Sequence, residues 1–90
     1  MTYSLKFVII EIMEYKNFGK FVRNKRLLLQ PKVAQGRFAL ENSIEPAVMC
    51  RTELMQQDTK ISTLVRIAKG FNMRASELLK EFEESEFFEF

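Results

Sequence analysis

The residues able to do chemistry are unevenly supplied in this chain. It has no histidine, and its one cysteine is Cys50. Without imidazole there is no histidine base, no serine–histidine triad and no ordinary zinc ligand set. One thiol forms neither an internal disulfide nor a cysteine cluster for a metal. Cys50 itself reads as a small half-buried filler in preference to a thiol sensor. Three glycines leave no glycine-rich phosphate loop. Glu83 and Glu84 are adjacent carboxylates, but they lie in an acidic run with no apolar pocket near them in sequence. A solvated helix end accounts for them better than an acid–base pair. No enzymatic activity, cofactor or metal site is expected. What remains is binding chemistry. Lys16, Lys20, Arg23, Lys25, Arg26, Lys32 and Arg37 form a basic block uninterrupted by any acid. Such a block in a globular segment is a footprint for a polyanion, with a solvated helix face as the plain alternative. At the other end Glu77, Glu81, Glu83, Glu84, Glu86 and Glu89 face only Lys80. That run solvates a helix end or repels nucleic acid from its side.

These residues must be positioned by one small domain. Ninety residues suit a single domain. A composition 47% hydrophobic and 29% charged excludes a largely disordered chain. The spacing predicts helices throughout. Phe18, Phe21, Val22, Lys25 and Leu28/Leu29 mark a first helix, with Asn17 as N-cap and Pro31 as its stop. A second runs from Val33 to Asn42, turning Phe38 and Ala39 inward. Pro46 opens a third, which ends at Glu53 or Leu54. After a polar loop, a fourth spans Ile61 to Phe71, stopped by Gly70 or Asn72. A fifth starts with Ser76 as cap and carries Leu78, Leu79 and Phe82. The expected core is Phe21, Val22, Phe38, Ala39, Ile44, Met49, Ile61, Leu64, Ile67, Ala68 and Leu78.

The chain divides into an extension over residues 1–16, a helical domain over 17–80 and an acidic, aromatic tail over 81–90. Residues 3–12 alternate like a strand, although Leu5, Val8, Ile9, Ile12 and Met13 also fit a helical stripe; the strand is preferred. Residues 5–12 of it and Phe82, Phe87, Phe88 and Phe90 are expected at a homodimer interface, because they are surplus to a filled core. Folding back onto their own subunit is the alternative. The apolar run from Phe7 to Ile10 is too short for a signal-peptide core or a membrane span, so a cytoplasmic protein with no membrane association is expected.

Residues 35–44, Gln-Gly-Arg-Phe-Ala-Leu-Glu-Asn-Ser-Ile, resemble the first helix and turn of a repressor-type helix-turn-helix. Arg51-Thr52-Glu53 is similar to the Arg-apolar-Glu cluster that closes the recognition helix there. The helix from Ile61 to Lys69, the segment from Met73 to Leu79, and Lys25-Arg26-Leu27 match the remaining pattern in a gapless register from Gln35. The resemblance covers about residues 18–79 and is to the Xre-like, or lambda-repressor-like, DNA-binding domains. It implies an all-α, five-helix lambda-repressor-like bundle with a helix-turn-helix, here with an N-terminal strand extension. It also implies an ion pair between Arg26 and Glu53, each next to an apolar residue that draws it inward.

The implied function is a sequence-specific DNA-binding transcriptional regulator that acts as a homodimer on double-stranded DNA. The DNA-binding residues carried over are Gln35, Arg37, Glu45, Ala47, Val48, Arg51, Gln56 and Lys60. Gln35, opening a helix, is expected to offer its amide to a phosphate, with Lys32, Arg37 and Lys60 as flanking cations. Arg51 reaches a guanine edge or a phosphate, or else pairs with Glu41 or Glu53. The chain departs from the pattern where the family presents polar side chains. Glu45, Pro46, Ala47, Val48 and Cys50 stand there, so Glu45 can accept from a cytosine amino group, and Ala47 and Val48 can touch a thymine methyl. Met55 replaces a turn glycine, and Ala34 replaces the usual cap. The alternative function is a protein–protein module or antitoxin on the same fold, with a partner such as a toxin.

Overall fold

In a computed structural model the described residues are 17–88. The expected strand and Phe90 lie outside them. The described residues form five helices and no strand. They are α1 (Phe18–Leu27), α2 (Gln35–Glu41), α3 (Pro46–Glu53), α4 (Ile61–Gly70) and α5 (Ala75–Glu83). Helix α3 packs against both α1 and α2, and α4 packs against α5. No helix of the described residues is long and apolar enough to cross a membrane.

Two helix starts differ from expectation. Helix α2 begins at Gln35, not Val33, because Ala34 is extended and the Val33 carbonyl accepts a hydrogen bond from Arg26 Nη1 at 2.9 Å. Helix α5 begins at Ala75, with Arg74 and not Ser76 at the cap. Glu77 reaches back so that its Oε1 accepts from the Arg74 backbone N–H at 2.9 Å. Pro46 does occupy the first turn of α3. Asn17 precedes α1, but its carbonyl, not its side chain, accepts from the helix.

Three helices end alike. The amides of Ile44, Gln56 and Met73 donate to the carbonyls of Ala39, Arg51 and Ala68 at 2.8–2.9 Å. In each case the preceding residue is left-handed: Ser43, Met55 and Asn72 have φ between 59° and 62°. This closure normally takes glycine. Of the two stops expected for α4, the structure uses Asn72, with Gly70 still inside the helix.

The core collects Phe18, Phe21 and Val22 from α1, Phe38 and Ala39 from α2, and Met49 from α3. Ile44, Ile67, Ala68, Leu78 and Phe82 complete it. Ile61, expected inside, is 79% exposed; the buried position of the first turn of α4 belongs to Thr63. Leu64 is half-buried against the core. Phe82, expected in the interface cluster, is buried between Phe18 and Phe21, each 5.3 Å away by ring centroids. Phe87 and Phe88 fold back onto Phe21 and Phe82. The chain after α5 therefore enlarges the core of its own subunit. Helix α1 reaches α3 at Gly19, where an added Cβ would strike the Thr52 carbonyl oxygen.

Candidate nucleic-acid interface

Helices α2 and α3 are joined by a turn over residues 42–45. Ile44 plugs the core and left-handed Ser43 reverses the chain. In α3 the inward positions are Met49, Thr52 and Glu53, spaced i, i+3, i+4. The outward positions are Pro46, Ala47 and Arg51, followed by Leu54. The helix thus shows one face to solvent and is held from behind.

What holds it is polar. Arg26 Nε donates to Glu53 Oε2 at 2.8 Å, and Arg26 Nη2 donates to Glu53 Oε1 at 2.9 Å. Both residues are buried. Gln35 Nε2 also donates to Glu53 Oε1, at 2.9 Å. One carboxylate therefore ties the end of α3 to α1 and to the first residue of α2. Hydrogen bonding to Glu53 raises the pKa of Arg26 above its usual value, against the burial that would lower it. One N–H of the Gln35 amide is therefore engaged by Glu53.

The other candidate residues are exposed or half-buried. Arg37 pairs with Glu41 along α2 at 3.2 Å, so part of its charge is matched. Arg51 pairs with neither Glu41 nor Glu53; its Nε donates to Gln57 Oε1 at 2.8 Å. Glu45 sits at the N-cap of α3 without a side-chain capping bond, and Lys60 sits likewise at the N-cap of α4. A groove of about 540 Å³ brings Glu45, Val48, Arg51 and Lys60 together between the turn and α4. Gln35, Arg37, Ala47 and Gln56 do not line it.

Sequence reasoning missed Gln57, Ser62 and Arg66, which also line this groove. Ser62 and Arg66 are spaced i, i+4 on α4, a helical pairing readable from sequence. Gln57 carries no signal in the sequence; its bond to Arg51 is what marks it. Among the described residues, no group of histidine, cysteine or acidic side chains could hold a metal ion. Cys50 is half-buried on α3. Compared with family models, curated proteins and solved structures, the chain matches none of them.

Proposed function

We propose that this chain is a sequence-specific, non-enzymatic DNA-binding regulator of the lambda-repressor-like, Xre-like kind, working in the cytoplasm as a homodimer. The observation that carries this reading is α3. It is locked from behind by the Arg26–Glu53–Gln35 network, it leaves Ala47 exposed, and it sets Arg51 beside Lys60 and Arg66. An α-helix with its side chains is about 10–12 Å across, which a B-DNA major groove about 12 Å wide admits. With α3 in the groove, α2 crosses the phosphate backbone.

The side chains then divide their work. Arg51 reaches a guanine edge or a phosphate, and Ala47 meets a thymine methyl. Lys60 and Arg66 attract the backbone. Glu45 repels phosphate and accepts from a cytosine amino group, which penalises sites without one. A single module with so few polar anchors binds weakly, and two linked copies on successive half-sites multiply the affinity.

The experiment is a gel shift with the duplex upstream of the chain's own gene, against a scrambled duplex, over a salt series. The expected outcome is preferential binding whose log–log salt slope is roughly −0.9 per phosphate contact. Equal or negligible affinity for both duplexes at low salt overturns the reading.

A further inference from the structure

We infer that the outer ridge of α4 docks into the groove between α1 and the C-terminal turn of a second copy of this chain.

The groove is about 600 Å³ and shares no residue with the one beside α3. Its apolar lining comes from Phe21, Leu28, Leu29, Phe71 and Phe87. Leu28 is 70% exposed at its lip, and Phe71 and Phe87 are half-buried. Glu81, Glu84 and Glu86 form the rim. Lys25, a cation in the same lining, is already matched: its Nζ lies 2.8 Å from Glu81 Oε2 and 5.3 Å from the centre of the Phe71 ring. Glu84 and Glu86 make no ion pair among the described residues. The groove is therefore apolar inside with an uncompensated negative edge. Nucleic acid is repelled from it, and a cationic apolar helix face suits it.

The chain carries one such face itself. On α4, Ile61 is 79% exposed and Val65 is 49% exposed, one turn apart. Lys69 follows them one turn further along the same face and is exposed, while Lys60 and Arg66 face the groove beside α3. Leu27, Leu40, Leu54 and Met55 are also exposed, but none has a second exposed large apolar residue three or four positions away, as Ile61 and Val65 have. Lys69 lies two residues before Phe71, so ridge and groove adjoin within one subunit. Two copies that exchange them close a two-fold dimer, each giving one ridge and one groove. This contact deepens the homodimer of the proposed function, and it is tested without DNA.

Sedimentation of the full chain is compared for wild type, a ridge variant (Ile61→Asp with Val65→Asp) and a groove variant (Leu28→Ser with Glu84→Lys and Glu86→Lys). Every substituted side chain is exposed, and circular dichroism checks that the variants stay helical. Each variant alone should self-associate roughly tenfold or more weakly than wild type. Mixed, the two should form a one-to-one complex, because the intact ridge of one meets the intact groove of the other. Wild-type association should also weaken with salt. A wild-type chain that stays monomeric, variants that associate like wild type, or a mixture no tighter than its components overturns the inference. Duplex binding by the ridge and groove variants is measured separately, so failure of this contact is distinguishable from failure of the DNA reading.

Discussion

Arg26 and Glu53 meet through two parallel hydrogen bonds of 2.8 and 2.9 Å, although they are 27 residues apart in sequence. The guanidinium sends its remaining Nη1 bond to the Val33 carbonyl. Glu53 receives Gln35 as well. Each nitrogen of the buried guanidinium and each oxygen of the buried carboxylate thus has a hydrogen-bond partner, which favours tolerance of such a pair. The consequence is positional: the end of α3, the end of α1 and the start of α2 share one fixed point behind the outward face of α3.

Glu53→Ala leaves a buried guanidinium without its partner and should cost about 3–5 kcal/mol. Urea unfolding of the full chain reads this directly. The double substitution Arg26→Met with Glu53→Leu should be less destabilised than Glu53→Ala alone, because no charge is left stranded. A loss under about 1 kcal/mol for the single variant means that the pair behaves like a surface contact.

Two glycine-to-alanine changes should have opposite signs. At Gly19 the new methyl meets the Thr52 backbone, which cannot swing aside, so α1 must shift; overpacking of this kind costs typically about 1–3 kcal/mol. At Gly36, inside α2, nothing lies within 4 Å of the added carbon. There the gain in helix propensity should stabilise the chain by about 0.5–1 kcal/mol. Thermal melts of the two variants should move in opposite directions; a shared sign contradicts the packing described at Gly19.

Much of this architecture was legible in the residues, for identifiable reasons. Helix periodicity exposed all five elements, and Pro46 marked the start of α3 because its fixed φ suits a first turn. The Arg26–Glu53 pair was legible only through the family resemblance, since periodicity says nothing about contacts 27 residues apart. Ile61 misled because spacing gives a face but not where a helix's packed length begins. Phe82 misled because surplus aromatic residues look alike whether they fold back or wait for a partner. The left-handed Ser43 is hidden by a residue type that rarely adopts that geometry, whereas Met55 stands where the resemblance expects a turn glycine. Gln35 sat where the pattern places it, but which neighbour its amide meets depends on Glu53 arriving from another helix.

The Thr52 hydroxyl is buried and has no hydrogen-bond partner among the described residues. Removing a buried, unsatisfied hydroxyl recovers its desolvation cost of about 1–3 kcal/mol, less any loss of packing. Thr52→Val keeps the branched shape, so the chain should become more stable by roughly 1 kcal/mol. Chemical denaturation gives the sign, and a destabilised valine variant means that the hydroxyl is satisfied in solution.

The charges around α3 should separate attraction from readout. Lys60 is exposed at the start of α4, with no ion pair among the described residues, and acts on phosphate through charge alone. Lys60→Ala should weaken binding to every duplex and flatten the salt slope by about one unit. Arg51 points outward from α3 and is oriented by Gln57. If it reads a base, Arg51→Ala should cost about 1–3 kcal/mol on the cognate duplex and much less on a scrambled one. Glu45→Gln removes a like-charge contact with phosphate, so it should raise affinity for all duplexes while narrowing the gap between them. Fluorescence anisotropy across a salt series measures the three together. Should Arg51→Ala weaken cognate and scrambled duplexes equally, Arg51 is a phosphate contact, and specificity must come from the shape of the DNA.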